Sequence, residues 1–544
     1  MKKTSYILVA LSFTISFSCE DFLDTEQITG ITIGNYYSTP EEAQTALVGC
    51  YDGLQRIWSN GVALPIAATV MADLAFGGTG AGDGDNYLMI DEFDQSKSPG
   101  DINMFEGTWS AYYAAIFRIN TLIGRLDQVN WDGNEQVRDQ IEGEARFLRG
   151  FLYFDLARMF ERVPLLEEPT KENIPQSDPD ATYTLIANDL LFAVSNLSDT
   201  PYPAIPEVDH GHANKWAAAS LLTRVYLYYT GYYGQADLVG LVSQQDALGY
   251  VEDVILNGGF SLVDNFGDLW PAAASYEAAQ RGDSISASTY AGENNSEVIF
   301  SIKYTYSSDW GGNSDGNHWM VMNGLRNQSW GQYGYGNGWG ACTVLPEVYA
   351  NWDPNDTRRA ASIMAIDEER IDYGQINDVK EYTGYFTKKY TPTANAVGQS
   401  IAQDVLGGVS FMISQFQDYF SIRYADVLLM AAELGSANAL SYVNQVRERA
   451  GVLPVTAIDK DIIFEERKLE FAFEGLRYWD LLRYDNTLTY AAEQVSFLGT
   501  VMSGGVIVTK EIDGNNLVTT RGLFQIPSNQ ITLSNGTLVQ NPGW

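Results

Sequence analysis

With 544 residues, 45% of them hydrophobic and 19% charged, the chain can bury a large core and has the composition of a globular protein, not a disordered one. Its formal charge of −36 argues against nucleic acid and against strongly anionic polysaccharides, because either partner needs clustered Lys and Arg. Length alone allows roughly two to four domains.

Lys2 and Lys3 are followed by an apolar run from Tyr6 to Phe17, too short to span a bilayer, and then by Ser18-Cys19. That order resembles a bacterial lipoprotein signal, with residues 1–18 removed and lipid carried on the Cys19 thiol. The alternative is an ordinary secretory signal with an incidental Cys. No later run is long and apolar enough to span a bilayer, so the lipid would be the only anchor. Cys50 and Cys342 are too few for a disulfide framework.

Residues 21–34 read as an extended lead. Thr39-Pro40-Glu41-Glu42 then supplies an N-cap, a first-turn proline and first-turn acids, which predict a helix through Leu54. A second helix is expected from Leu64 to Leu74. Gly77 to Asp85, GGTGAGDGD, reads as a loop after a helix, and it lacks the spacing of a phosphate-binding loop. Helices follow at Phe105 to Leu126, Val137 to Phe160, Thr182 to Leu197 and Ala213 to Tyr229. Small residues (Ala43, Ala114, Ala145, Ala217 to Ala219) stand where these helices could pack closely. The pairs resemble tetratricopeptide stacking without a clean 34-residue period.

From Gly258 to about Ser414 helical periodicity largely disappears, and short apolar runs alternate with Gly, Asn and Ser. This predicts a loop-and-strand insertion on the surface of a mainly helical body. Within it Trp310, Trp319, Trp330, Trp339, Tyr333 and Tyr335 crowd together with Arg326. Aromatic faces pack against the C–H faces of sugars, while Arg, Asn and Asp bond their hydroxyls. The competing reading folds these rings inward to pin a Gly-rich excursion. Helices return at Ile422 to Leu434 and Asn438 to Arg449, and Ile462 to Asn486 reads as one long amphipathic helix. The last residues read as a coiled tail.

On that long helix Glu466, Glu470 and Glu474 share one stripe. Their spacing could hold two carboxyls at the ~5 Å of a retaining glycosidase. Arg467, Arg477 and Arg483 lie close enough to fork onto them and keep them ionised, whereas a general acid needs a raised pKa. A structural ion-pair brace is the better reading. Gly475, costing about 1 kcal/mol in an exposed helix, implies a close neighbour. His210 and His212 lack further zinc ligands and read as solvated loop residues. Asp83-Gly-Asp85 and Asn313 to Asn317 lack the pattern of a calcium loop, and no Ser-centred elbow is present. No metal, cofactor or catalytic residue is expected.

Several stretches resemble one family. They are Cys19 to Asp24 (CEDFLD), Trp109 to Asn120, Gly143 to Leu166 (GEARFLRGFLYFDLARMF with ERVPLL), Ile422 to Glu433, Val443 to Gly451, the segment from Glu466, and the closing FQIPSNQ and QNPGW. In this order, over nearly the whole chain, they resemble the SusD/RagB family. Gln525 departs from its usual Pro. The resemblance implies a SusD-like, mainly α fold with tetratricopeptide-like pairs. It would have an N-terminal region 19–230 and a C-terminal region 231–544 carrying the 258–414 insertion, in one compact body. It implies a surface-exposed outer-membrane lipoprotein of Bacteroidetes-type bacteria. Such a protein is not an enzyme; it binds glycans or sometimes peptides and delivers them to a TonB-dependent SusC-like transporter. The family does not transfer a binding list. By placement, the loop after Asp73 and the Trp-rich insertion are the candidates: Asp73, Trp310, Trp319, Arg326, Trp330, Tyr333, Tyr335 and Trp339. Net charge favours a neutral glycan. The alternatives are an extracellular glycoside hydrolase of helical fold and a peptide-binding or adhesion lipoprotein.

Overall fold

The structure is a computed structural model that describes residues 36–57, 64–280, 289–305, 316–326, 334–394 and 415–544. The signal with Cys19, the lead 21–34 and residues Trp310, Trp330 and Tyr333 lie outside the described residues.

Helix α1 (Pro40–Arg56) starts where its cap residues require. Thr39 accepts from the Glu42 N–H, and the Glu42 carboxylate accepts from the backbone of Thr39 and Ser38, satisfying donors that a helix end leaves open. Helix α2 (Leu64–Val70) is buried throughout. It does not reach Leu74: the chain turns and enters strand β1 (Ala75–Gly78), so the Gly-rich loop leaves a strand and not a helix.

Helices α3 (Glu106–Ile123), α4 (Glu135–Phe160), α5 (Pro179–Asn196), α6 (Lys215–Tyr233) and α7 (Gln244–Asn257) each pack on the next. Gly53 of α1 lies against Ala115 of α3, where an added Cβ would sit 3.2 Å from the Ala115 Cβ. Ala115 therefore makes the close approach, while Ala114 faces solvent. Buried Arg149 of α4 donates to Asp189 of α5 at 2.7 and 2.8 Å and to Asn120 of α3 at 2.9 Å. One guanidinium thus ties three helices, which gives the Arg in GEARFLRG its structural role.

The second half is more than a surface insertion. Helix α8 (Pro271–Gln280) is followed by β2 (Val298–Ile302), helix α9 (His318–Asn323), β3 (Leu325–Arg326), β4 (Asn337–Gly338), β5 (Ala341–Val344), β6 (Ile363–Ala365), β7 (Tyr385–Thr387) and β8 (Tyr419–Arg423). Strands β1, β5, β7 and β6 form one antiparallel sheet in that order, β2 pairs with β8, and β3 lies parallel to β4. Trp270, Phe300, Trp319 and Tyr390 from this region are buried in the main core. Apolar strands need covering on both faces, so the region is packed into the body and not laid over it.

Helices α10 (Tyr424–Glu433) and α11 (Ala439–Arg449) precede the Glu-rich stretch, which is two helices and not one: α12 (Lys460–Glu470) and α13 (Arg477–Tyr484). Phe473 and Gly475 take positive φ (64° and 76°) in the intervening turn. An added Cβ at Gly475 would lie 3.0 Å from the Pro65 Cα, so α2 is the close neighbour. The chain continues into the hairpin β9 (Phe497–Ser503) and β10 (Val506–Ile512), then into short helices at Gly514–Thr520 and Ser528–Leu533 in place of a fully coiled tail.

Despite the break, Glu466, Glu470 and Glu474 converge, each no more than 1% exposed. Arg358 reaches Glu466 at 2.6 Å and Glu470 at 3.2 Å. Arg423 reaches Glu470 at 3.0 Å and Glu474 at 2.8 Å. Arg449 pairs with Glu470 and Glu297, Arg447 with Glu466, and Lys389 with Glu474. The neighbouring Arg467, Arg477 and Arg483 do not fork onto this stripe. They turn to Asp426 and Asp480, to Asp73, and to Asp480 and Glu433. Burial alone would raise the Glu470 carboxyl, but Arg449, Arg423 and Arg358 outweigh it and hold it well below the usual range. Asp426 is held low in the same way, against burial, by Arg467 and Arg224.

Glu470→Ala takes a shared partner from three buried guanidiniums and is expected to cost about 3–5 kcal/mol in chemical unfolding, with ligand specificity unchanged in the folded fraction, and Arg477→Ala, which leaves buried Asp73 with Lys468 alone, is expected to lower stability as well. Normal stability with lost binding would refute the brace. The acid dependence has a defined sign. Carboxylates with depressed folded-state pKa stabilise the fold above their ordinary range and lose that contribution as pH falls. The melting temperature is therefore expected to drop as pH is lowered below about 4; a rise toward acid would contradict this.

Candidate ligand-binding face

The loop after β1 is anchored at its root by the sheet. Thr79 N–H donates to Gly340 O at 2.8 Å, and Gly80 bridges Val379. Further out it is held by two cations. Arg326 donates to Asp83 at 2.8 Å and to Asp378 at 3.0 Å. Lys380 donates to the Asp83 carbonyl and, at 2.6 Å, to Asp85. The guanidinium occupies the space a Cβ on Gly80 would need, 2.0 Å from its carbon, so a side chain there would push the Arg326 head aside. The two stretches expected to form a site, the loop after Asp73 and the Arg326 segment, therefore do adjoin.

Trp339 lies half-buried on the same segment, its N–H donating to Val321 O at 2.9 Å. The partly exposed His318 ring meets it edge-on at 5.0 Å. Near it in sequence, Asn337 has a side-chain oxygen with no donor among the described residues. Tyr87, half-buried in the segment after the loop, donates to Met322 Sδ of α9 at 3.1 Å. A half-buried ring beside a guanidinium suits a ligand with both apolar faces and hydroxyls.

Other expected residues are placed differently. Trp319 is 1% exposed and packs on Tyr390 at 4.2 Å and Tyr419 at 5.0 Å. Tyr335 is also 1% exposed, stacks on Tyr276 and donates to Glu369 at 2.6 Å. Both rings are committed to the core, where their area contributes most. Asp73 is buried too. Arg477 meets it at 2.8 and 2.9 Å and Lys468 at 3.2 Å. Burial would raise its carboxyl, and these two cations hold it well below the usual range.

His212 is not a solvated loop residue. Its Nδ1 lies 2.7 Å from Glu144, which also accepts from Tyr51 at 2.7 Å, and this hydrogen bond raises the imidazole above its ordinary value. Among the described residues no group of His, Cys, Asp or Glu is arranged to hold a metal ion. Cys50 and Cys342 are buried and unbridged. Lys380, Asp378 and Tyr87 are absent from the sequence-based set, and no spacing links them to Arg326. The β9–β10 hairpin was not anticipated, although Gly504-Gly505 between two β-rich runs is a hairpin signal.

A SusD family model matches residues 296–544, and a model described as starch-binding associating with outer membrane matches residues 85–227. A SusD-like protein from Bacteroides ovatus is 26% identical over 518 residues, covering 90% of this chain and 85% of its own. SusD-like protein P2 from Formosa agariphila is 25% identical over 515 residues, covering 89% and 91%. A solved laminarin binding SusD-like protein is 27% identical with a TM-score of 0.69, covering 93% of this chain and 100% of that one. Surface glycan-binding protein A from Bacteroides thetaiotaomicron, in complex with laminarihexaose, shares the fold at 24% identity and a TM-score of 0.72, with the same coverage. The two family models between them take in well over half of the residues, and with relatives matching along almost the whole length they place the chain in the SusD/RagB family.

Proposed function

We propose that the protein is a non-catalytic, surface-exposed glycan-binding lipoprotein of the outer membrane. It captures an oligosaccharide or polysaccharide and passes it to a TonB-dependent SusC-like transporter. The observation that carries this reading is the full-length likeness to a laminarin binding SusD-like protein. The outer-membrane association in the description of one matching family model supports the location. No described helix is long and apolar enough to cross a membrane, and the reading assigns anchoring to lipid on Cys19.

In this reading Trp339 packs on a sugar ring while the Arg326-held loop 79–85 meets the hydroxyls. Trp310, Trp330 and Tyr333 belong to the same stretch of sequence and lie outside the described residues. The charge of −36 favours a neutral glycan. Transfer to the transporter needs the loops to open and close over the ligand. The carboxylate stripe supports the absence of catalysis, since Glu470 is held ionised by three arginines and cannot serve as a general acid.

The test is a panel of neutral and anionic glycans against the soluble form starting after Cys19, read by affinity gels and calorimetry. At least one neutral glycan should bind without release of reducing sugar. Trp339→Ala should weaken it about ten-fold, the scale of one lost aromatic contact. Arg326→Ala should weaken it several-fold by freeing Asp83 and Asp378, with the melting temperature nearly unchanged. Binding to no glycan, or turnover by the wild type, would overturn the reading.

A further inference from the structure

A second concave site lies at the far end of the β9–β10 hairpin. It encloses about 410 Å³ between α12, the helix Pro346–Asn351 and the hairpin base, a volume typical of small-ligand clefts (~300–1,000 Å³). Phe497 lines it with a half-buried ring, fixed edge-on against Phe76 at 4.9 Å. Leu498, 75% exposed, forms part of its lining. Asn351 and Gln494 offer amides, and Lys468 offers an ammonium already shared with Asp73.

Trp352 also lines the cleft. It is 3% exposed, and its ring N–H has no acceptor among the described residues. Buried indole N–H groups normally have a partner, so this wall of the cleft holds a polar group that the described residues leave unmatched. The Asp73 carboxylate beneath is matched by Arg477 and Lys468, while the exposed carboxylates of Glu347 and Glu465 also line the cleft; together they offer acceptors for the hydroxyls of a ligand that is not itself anionic and has an apolar face.

The hairpin joins this cleft to the first face. Its seven-residue strands span about 24 Å at ~3.4 Å per residue. Its base is at Phe497. At its tip Gly504 donates to Val379 O at 2.9 Å, and an added Cβ there would lie 3.6 Å from the Ala81 Cβ, within the loop 79–85. We propose that the cleft is a second saccharide subsite, holding a distal sugar of the same neutral chain bound at the Trp339–Arg326 face, with the hairpin as the span between them. This rests on the glycan-binding reading and adds a length requirement to it: a chain must reach along the hairpin to occupy both ends.

The experiment compares the affinity of the soluble protein for a long polymer and for a trisaccharide cut from it, using laminarin or whichever neutral polymer the panel retains. The double variant Asn351→Ala/Gln494→Ala removes cleft amides, both in residues that reach the surface, and Phe497→Leu removes the ring while keeping apolar volume. Polymer affinity should fall about ten-fold in each, with trisaccharide affinity and melting temperature unchanged, so that the length preference collapses. An unaltered polymer-to-trisaccharide ratio, or an equal loss for both, would overturn the subsite while leaving the first face standing. Loss of transporter co-purification with normal glycan affinity would do the same, assigning the cleft to a protein contact. Failure of the wild type to bind any glycan would overturn the primary reading and the subsite with it.

Discussion

Five carboxylates and five cations meet inside this protein: Asp356, Glu297, Glu466, Glu470 and Glu474 with Arg358, Arg423, Arg447, Arg449 and Lys389. Taking charges out of water is expensive, and attraction repays it only where geometry and hydrogen bonding are nearly complete. Here Glu470 faces three guanidiniums, and the outermost member, Arg447, is the only side chain more than slightly exposed. Burial pulls Lys389 down to about 8 against Glu474, so even the ammonium remains largely charged at neutral pH. The approach to β2, the short helix Thr357–Ser362 with its cap Asp356, the segment after β7, strand β8, α11, α12 and the turn after α12 each contribute members. The cluster fixes how sheet and helices meet, and α12 could not turn at Gly475 without a partner for Glu474.

The ion pairs at the candidate face are of another kind. Asp83 and Asp378 are well exposed, at 39% and 36% of their side chains, and such pairs contribute roughly 0–1 kcal/mol each. The same chemistry serves two ends. In the interior it makes one arrangement obligatory. At the surface it adds only a light hold on the loop. A rigid scaffold carrying weakly tethered loops is how binding sites vary while a fold persists.

What was legible in the sequence follows from the range of each interaction. The capping box at Thr39 and Glu42, the carboxylate stripe and the need for a neighbour at Gly475 are set within one or two turns of helix, and each is read from spacing. The break between Glu470 and Arg477 was hidden, because it depends on Pro65, hundreds of residues away, and on Phe473 adopting a left-handed conformation that favours Gly. The arginine partners were hidden for the same reason: Arg358 and Arg423 lie far from the stripe in sequence. The sugar-binding expectation for Trp319 and Tyr335 rested on residue type. Their burial is decided by Tyr390, Tyr419 and Tyr276, which no local pattern ties to them. Asp73 is paired with Arg477 and Lys468, about four hundred positions away, which no local pattern ties to it.

The reach of the charged cluster also sets an order of assembly. Its members run from Glu297 to Glu474, whereas the Asn120–Arg149–Asp189 tie of the helical stack closes within seventy positions of chain. Contacts close in sequence form sooner because less loop entropy is lost in making them. A chain emerging from its N-terminus can therefore pack its first helices early, while Lys389 and Arg423 lack their Glu474 partner until the last part of the cluster arrives. The cluster as a whole is complete only once Glu470 and Glu474 are in place, so the second half is expected to gather after the first.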